Sequence, residues 1–490
     1  MAFMAASARK DPKDSIVSDR GDEWLAMLPH WDLIDTLLAG TAAMRHKSTA
    51  YLPKYAEEDE TNYRARLERS VLTNFLKKSI RTLSAKPFMR MAQVEKLDPA
   101  LEHLIDDADK EGNSLHVFGH RVFRTGIGKG LSHILVDFPR DASPDGTLAG
   151  FRSSGAGPYF REVAPENVIA AFSDVVNGEE QYVHVRVLME KKQRVDPFGE
   201  VRVQQILVME PGYNVVWQLV DADKEDQPEG WAVVDDYETG IDFVPLITFY
   251  ADRIGFLMAD PPLIDLAHLN VAHWQSASDQ RNVLTVARFP ILAAMGVSEF
   301  NNEDQSVPTK FRIGPHQIFT ASDPQSRITY VEHSGAAIAS GQVDLDNLKE
   351  EMAMLGMELV LRGRSGRITA TAHQMDKAEA DTALSQMAVD FEEAMNQALR
   401  YAKAWINPED RNKSAGEVRL STQFGLGIRE ESEFRDLMDA RNEGHIKHET
   451  LLRELKRRSI LSEDFDVAVE ILDLKSEAPP PAAPKLEVVQ

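Results

Sequence analysis

From Asp22 to Arg45 apolar residues recur at helical spacing, with Trp24, Leu25, Leu28, Trp31, Ile34, Leu37 and Leu38 forming one face that carries two tryptophans. A turn at Tyr51-Leu52-Pro53 and the acidic run Glu57–Glu60 come next. The spacing then predicts a second helix over Tyr63–Leu83, with Tyr63, Leu67, Val71, Phe75 and Leu76 inward and Arg64, Arg66, Arg69, Lys77 and Lys78 on its exposed side. Helices over Pro99–Lys110 and Ser114–Thr125 lead into a strand, Leu131–Phe138, stopped by Pro139. Gly, Ser and Pro mark a loop between Asp141 and Pro158.

The period then changes. Tyr182–Glu190, Val201–Glu210, Asn214–Val220 and Trp231–Asp235 alternate as antiparallel strands joined by turns such as Asp196-Pro197-Phe198-Gly199 and Pro211-Gly212, and the unit ends on the apolar strand Phe243–Phe249. Pro261-Pro262 opens a helix that runs to Arg288 and is closed by Pro290. An insert, Ile291–His333, contributes strand-like pieces at Lys310–Ile313 and Ile328–Glu332. A helix over Ala336–Leu361, the short loop RGRSGRITAT and a helix over Ala372–Ile406 follow. The last of these would be on the order of 50 Å long. In it Leu384, Ala388, Phe391, Met395, Ala398, Ala402 and Trp405 alternate four-three, the spacing of a helix packed along a neighbouring helix. A strand-like segment Glu417–Phe424, helical patterns at Glu430–Asn442, His448–Arg458 and Glu463–Leu472, and a proline-rich end complete the chain, which reads as α+β.

Composition narrows the function. The 490 residues are 43% hydrophobic and 27% charged, and no run approaches the length of a membrane helix. With no cysteine, disulfides, thiolate catalysis and cysteine-held metals are excluded, and a reducing compartment fits best. Seventy-eight acidic against 55 basic residues give a formal charge of −23, which opposes a broad nucleic-acid grip. Against that background the three arginines of RGRSGRITAT stand out as a small basic loop between two long helices.

Enzymatic chemistry finds no anchor. Gly126-Ile127-Gly128-Lys129-Gly130 has closely spaced glycines, but Phe123 stands where a phosphate loop needs glycine and the order is helix then strand. Glu190-Lys191-Lys192 with Asp174 upstream matches a nuclease-like acid and lysine set only superficially, and reads better as a solvated turn. His116 and His120 lie one turn apart on a helix with no third ligand evident. Asn270–Asn282 is different, because this predicted helix is polar around most of its circumference. It is either a surface helix with Leu269 and Trp274 inward, or a helix with neighbours on several sides and a water-filled face, as in a ring around a pore.

Several short motifs, in order, resemble the portal proteins of tailed bacteriophages, in the prophage-type branch often labelled only as a domain of unknown function. They are Tyr51-Leu52-Pro53, then Tyr63-Arg64, Arg66-Leu67-Glu68-Arg69 and Asn74-Phe75, then Leu135–Pro139, Pro262–Asn270, Tyr330–Ile338, Met352–Gly356 and Ala370-Thr371-Ala372. The resemblance spans Tyr51 to Leu472, and it departs from the pattern at Leu83–Phe88, where a glycine is expected.

The resemblance implies a non-enzymatic, cofactor-free subunit of a homo-oligomeric ring, typically of twelve copies, at one capsid vertex of the virion, assembled in the host bacterial cytoplasm with no membrane involved. Double-stranded DNA would pass through the ring. The terminase large subunit would dock on it during packaging and the head-to-tail adaptor later, with major capsid and scaffolding proteins around it. Mapped onto the chain, residues 1–21 would form a disordered leader, 22–261 a wing, 262–290 the first stem helix, 291–335 the clip and 336–361 the second stem helix. Residues 362–371 would be the tunnel loop, 372–407 the spine helix, 408–428 a strand returning to the wing, 429–474 crown-like helices and 475–490 a disordered tail. Arg362, Gly363, Arg364, Ser365, Gly366 and Arg367 would face the DNA, although the arginines could equally pair with acids of a neighbouring subunit. In the clip, Phe311, Ile313, Ile318 and Phe319 would form a small core, leaving Lys310 and Arg312 for the motor or adaptor. Two other classes stay open: a metal-dependent hydrolase or nuclease, and a head-assembly protein without a channel.

Overall fold

The structure, a computed structural model, describes residues 16–139, 157–176, 178–220, 230–288, 291–295, 325, 327–331, 336–358, 370–422, 430–457, 461, 465, 467 and 469–471. The chain divides into two compact units, Met1–Gln423 and Phe424–Gln490. Helices and antiparallel sheets share the first unit, and the fold is α+β.

Helices α1 (Asp22–Ala39) and α2 (Thr41–Lys47) are separated by Gly40. Trp31 is buried and its indole N–H donates to the Lys129 carbonyl at 3.2 Å, whereas Leu25 and Leu28, expected on the packed face, are exposed. Met27 and Leu33 are buried in their place.

The single helix expected over Tyr63–Leu83 is two: α3 (Glu60–Arg69) and α4 (Phe75–Ala85). Asn74 makes the break, because its side chain accepts the Lys77 N–H and so supplies a cap that starts a new helix there. The break shifts the pattern beyond Arg69, exposing Val71 and burying Leu72, while within α3 Arg66 lies on the buried side with Tyr63. The predicted helix over Pro99–Lys110 shrinks to a 3-10 turn, Pro99–Leu101, capped by Asp98, and one α-helical turn, α5 (His103–Asp106).

Strand β1 (Gln93–Glu95) lies in this part of the chain, ahead of α6 (Leu115–Lys129) and β2 (Leu131–Asp137). Strand β3 (Tyr159–Val163) follows, then β4 (Val168–Val176), β5 (Glu179–Arg194), β6 (Glu200–Glu210), β7 (Tyr213–Val220) and β8 (Gly230–Glu238), which form an antiparallel meander of five strands. Strand β9 (Leu246–Tyr250) joins β2 and β3 in a second sheet of order β3-β2-β9. Val163 and Leu135 from this sheet and Val185, Val187 and Leu207 from the meander share one apolar cluster. Short strands β10 (Arg253–Gly255) and β11 (Met258–Ala259) pair with each other.

Beyond these come α7 (Ile264–Ala287), the antiparallel pair β12 (Ile291–Met295) and β13 (Arg327–Val331), α8 (Ala336–Glu358) and α9 (Ala370–Ile406). Strand β14 (Glu417–Arg419) returns to pair with β1.

The four-three positions Leu384, Ala388, Phe391, Met395, Ala398 and Ala402 of α9 are all buried, with Trp405 half-buried, but the neighbour is chiefly strand, not the helix that the spacing suggests. Helix α9 crosses β2 and β9 and holds β14 with side-chain acceptors: Val418 N–H donates to Asn396 at 2.7 Å and Leu420 N–H to Glu392 at 2.6 Å. Phe391 sits 5.0 Å from Phe249 of β9 and 5.3 Å from Phe123 of α6, and Phe88 closes the cluster at 5.7 Å from Phe123. Gly126 is needed here, since a Cβ at that position would fall 2.4 Å from the Phe249 ring.

The second unit contains α10 (Glu430–Asn442) and α11 (His448–Arg457), where the sequence predicts them, with Leu451, Leu452 and Leu455 buried. Of the third predicted helix, Glu463–Leu472, residues 465, 467 and 469–471 are described, and 467 and 469–471 are helical.

Candidate functional site

The polar helix α7 is the centre of the arrangement. Between Leu269 and Gln280 none of its residues is exposed, although half of them are polar. Each side is occupied by another part of the same unit. Asn270 is fully buried: its amide donates to the Thr73 carbonyl at 2.9 Å and accepts the Leu76 N–H at 3.2 Å, holding the break between α3 and α4. Ser278 meets Ser70 at 2.8 Å, and Gln275 donates to the Tyr51 carbonyl at 2.8 Å. Toward α8, Ser276 donates to Asp344 at 2.6 Å and Gln280 to the Ile338 carbonyl at 2.8 Å. Gly341 of α8 leaves room for Gln280, whose Oε1 would stand 2.2 Å from any added Cβ. Of the reading that set neighbours on several sides of this helix and a water-filled face as in a ring around a pore, the neighbours are present within one chain.

Arg66 anchors the same region and was missed by the sequence pattern, which placed it on an exposed face. Its guanidinium is 2% exposed and forks onto Glu58 at 2.7 and 2.8 Å, donates to the Pro53 carbonyl at 2.7 Å and reaches Asp279 of α7 at 3.4 Å. The Tyr55 ring lies 4.2 Å below it. The Arg66 fork holds the Glu58 carboxyl below the ordinary range, while burial and a hydrogen bond to Asp279 push the Tyr55 phenol up to about 12. The only sequence signal was Glu58 eight residues upstream, a spacing that no helical rule pairs.

Motif segments that lie far apart in sequence therefore meet. Tyr51 and Arg66 meet α7 at Gln275 and Asp279, Asn270 of α7 donates to the Thr73 carbonyl beside Asn74, and around them Tyr63 donates to the Leu52 carbonyl, Arg66 to the Pro53 carbonyl and Asn74 to the Leu37 carbonyl of α1, while Gly356 of α8 packs on Ser79 and Leu266. Within Leu135–Pro139, the Val136 carbonyl accepts the Trp405 indole N–H at 3.0 Å and Phe138 stacks on Trp405 at 5.7 Å.

The residues proposed from sequence to face DNA, Arg362, Gly363, Arg364, Ser365, Gly366 and Arg367, fall between the end of α8 and the start of α9 and lie outside the described residues, as do Lys310, Arg312 and the expected clip core Phe311, Ile313, Ile318 and Phe319. Their flanks are described. The insert containing Lys310 and Arg312 leaves and returns through the paired strands β12 and β13, in register from Ile291 with Val331 to Met295 with Arg327.

A family model described as a domain of unknown function (DUF4055) matches residues 262–406. That span begins just before α7 and ends with α9. Among solved structures the chain is similar to a chain of the virion of a native gene transfer agent particle, with 9% identity over 83% of this chain and 96% of that one and a TM-score of 0.39. It is also similar to a chain in the neck of the native particle computed with C12 symmetry, at 10% identity, 78% and 89% coverage and a TM-score of 0.39. A chain in the neck of the empty particle computed with C6 symmetry gives 10%, 76%, 87% and 0.38. No curated protein matches.

The other motifs have structural explanations. Gly130 takes φ 88° as the left-handed cap of α6, and its N–H closes on the Gly126 carbonyl at 2.8 Å. Lys129, between them, turns inward onto Asp35 at 2.8 Å and Glu166 at 2.7 Å and is buried, so it does not face a phosphate. His116 and His120 both pack on the Phe88 ring, at 5.4 and 5.3 Å, and His116 accepts the Ala92 N–H. Burial lowers the pKa of both, with Arg124 adding to the effect at His120. Glu190 pairs with Arg202 and Lys192 with Glu200 across β5 and β6, while Asp174 lies opposite Gln181. Nine residues of β5 separate Gln181 from Glu190, about 30 Å, too far for a shared ion. Among the described residues no three His, Asp or Glu side chains come close enough to hold a metal, and no helix is long and apolar enough to cross a membrane.

Proposed function

We propose that the chain is a portal-type subunit: a non-enzymatic virion component that assembles into a ring, about twelve copies by the resemblance, through which double-stranded DNA is packaged and ejected. The order of elements carries this reading. Two long helices, α7 and α8, flank an insert whose base is a strand pair, and a basic segment follows before a third long helix, α9, returns across the sheet of the first unit. In this reading α7 and α8 are the stem, β12 and β13 the base of the clip, residues 362–371 the tunnel loop and α9 the spine. The terminase large subunit and later the head-to-tail adaptor are the partners of the clip, with Lys310 and Arg312 as contacts, and capsid and scaffolding proteins surround the ring.

The charge fits passage better than binding. Each phosphate that a protein neutralises releases counterions and adds affinity that would stall sliding. A chain of net charge −23 with Arg362, Arg364 and Arg367 confined to one short loop offers few such contacts per subunit.

Native mass measurement with negative-stain imaging tests the reading: rings with a central hole are expected, and a monomer at micromolar concentration, or an assembly without a hole, would overturn it. With rings in hand, Arg364→Ala/Arg367→Ala is expected to reduce DNA packaging or retention. Unchanged packaging and retention would remove the loop from the DNA path.

A further inference from the structure

The five-stranded sheet carries a projection that the portal reading does not use. Strand β4 pairs with β5 only as far as Val187, and β7 pairs with β6 only from Gln205 onward. Residues Glu190–Arg194 and Glu200–Gln204 pair with each other alone, so they form a two-stranded arm beyond the sheet. A free two-stranded ribbon is marginal in water and gains from a partner.

The arm ends in a tightly specified turn. Asp196 accepts the N–H groups of Phe198 and Gly199, and Arg194 donates to the Asp196 carbonyl at 3.0 Å and the Pro197 carbonyl at 2.6 Å. This turn holds Phe198 out with its whole surface exposed, beside Val195 at 67% and Val201 at 50%. Such a cluster on a fixed tip has the form of an interface anchor.

The complement lies on the same chain, at the opposite end of β5. There Phe172 and Val176 on one face of the β4–β5 hairpin and Val175 on the other are 56%, 39% and 69% exposed, so the hairpin end is apolar on both sides. The 16 residues of β5 separate the two ends by about 50 Å, so one copy cannot join its own arm to its own hairpin end. Charge matches as well. The arm carries Lys191, Lys192, Arg194 and Arg202 against Glu190, Asp196 and Glu200, a positive balance in a strongly acidic chain. Among the described residues Lys191 and Arg194 have no carboxylate partner. The hairpin end carries Asp174, Glu179 and Glu180 and no cation within residues 172–181; Arg253 reaches Glu180 at 3.9 Å, which leaves a net negative charge there.

We infer that the Phe198 arm of one copy docks on the exposed end of the β4–β5 hairpin of the next copy, on the side of Val175, a head-to-tail contact between unlike surfaces. A contact of this type repeats from copy to copy and closes when the rotation permits. The inference deepens the ring proposed above and rests on that ring for closure, while the arm–hairpin contact itself can be tested whatever the assembly turns out to be.

The test uses the full chain with Phe198→Asp, Val175→Asp and an equimolar mixture of the two, read by native mass measurement across concentration. Both positions are exposed, so circular dichroism and the unfolding midpoint are expected to match wild type. Each variant alone is expected to need about tenfold more protein or higher for half-assembly. In the mixture, the intact arm of the Val175→Asp chain meets the intact hairpin end of the Phe198→Asp chain, so dimers containing one of each are expected, without rings. Wild-type rings together with variants that assemble at the wild-type concentration would overturn the inference and leave the ring standing. Wild-type assemblies that are not rings, yet are lost in both variants and restored as mixed dimers, would retain the contact and overturn the ring. A wild-type chain that stays monomeric throughout would overturn both.

Discussion

Arg66→Ala separates the structure from the sequence pattern, because the two place this side chain in opposite environments. On an exposed helix face the substitution would change stability by at most about 0.5 kcal/mol. In the structure Arg66 is 2% exposed and its partner Glu58 6% exposed. Removing the guanidinium leaves a carboxylate with little access to water, a loss of about 3–5 kcal/mol for a broken buried pair. The contact with Asp279, whose side chain is 49% exposed, contributes little of this. The double variant Arg66→Ala/Glu58→Ala leaves no orphaned charge, so its loss should fall well below the sum of the single losses, with a coupling of about 1–3 kcal/mol. Urea unfolding followed by tryptophan fluorescence reads this directly, since Trp274 is buried on α7, the helix that Arg66 reaches through Asp279. A single-variant loss below about 1 kcal/mol, or additivity of the two substitutions, would refute the argument.

Gly126→Ala is expected to destabilise by about 1–3 kcal/mol, since the new methyl would stand 2.4 Å from the Phe249 ring; a wild-type unfolding midpoint would show that α6 can move off β9 freely. Trp405→Phe keeps an aromatic face for Phe138 but removes the 3.0 Å bond to the Val136 carbonyl, with an expected loss of about 1 kcal/mol in the same assay. His133, fully buried with Nδ1 2.9 Å from the Thr248 hydroxyl, has its pKa lowered by burial to about 3, below the unfolded value of about 6.5. Its contribution is therefore present above pH about 6.5 and is lost as pH falls toward 3, at up to about 1.4 kcal/mol per pH unit. Relative to wild type, His133→Gln should lose less stability between pH 6.5 and 4.5, and parallel profiles would rule this out.

Elements whose pattern depends on their own residues were legible in the sequence. Helix α7 ends within a residue or two of where Pro261-Pro262 and Pro290 bracket it, and the β5–β6 turn falls on Asp196–Gly199, where aspartate and glycine make a turn inexpensive. Features set by distant partners were not. The break at Ser70–Asn74 is started by the Asn74 cap, which apolar periodicity alone passes over, and is held by Asn270, about 200 residues later, which satisfies the Thr73 carbonyl and the Leu76 N–H. Leu25 and Leu28 fit the helical stripe of α1 but are only partly covered among the described residues, at 45% and 37% exposure. The four-three repeat of α9 correctly marked a buried face, yet spacing alone does not say whether a helix or a strand fills the other side. Of the candidate site, the flanks α7, α8 and α9 were legible, whereas Arg66 was hidden because its role depends on Glu58 and Asp279 at spacings with no local meaning.

Helix α7 shows why a polar helix can hold the middle of such a unit. An amphipathic helix has one preferred face, and sliding or rotating it along an apolar partner costs little per residue. On α7, Asn270, Gln275 and Ser278 each engage a particular group in the segments around α3 and α4, and Ser276 and Gln280 engage two separate groups on α8. A shift of one residue would strand several buried polar groups at once, at roughly 1–3 kcal/mol each. These bonds contribute modestly to net stability but fix the register of α7 against α3, α4 and α8 together. A helix pair locked in this way is a rigid base for whatever it flanks, and in the portal reading it flanks both the insert and the basic loop. Loss of register is then the failure expected from Asn270→Leu: the volume is nearly kept, yet the Thr73 carbonyl and the Leu76 N–H both lose their partner. Faster hydrogen exchange across residues 70–76 would report that loss, and unchanged exchange there would show that packing alone sets the register.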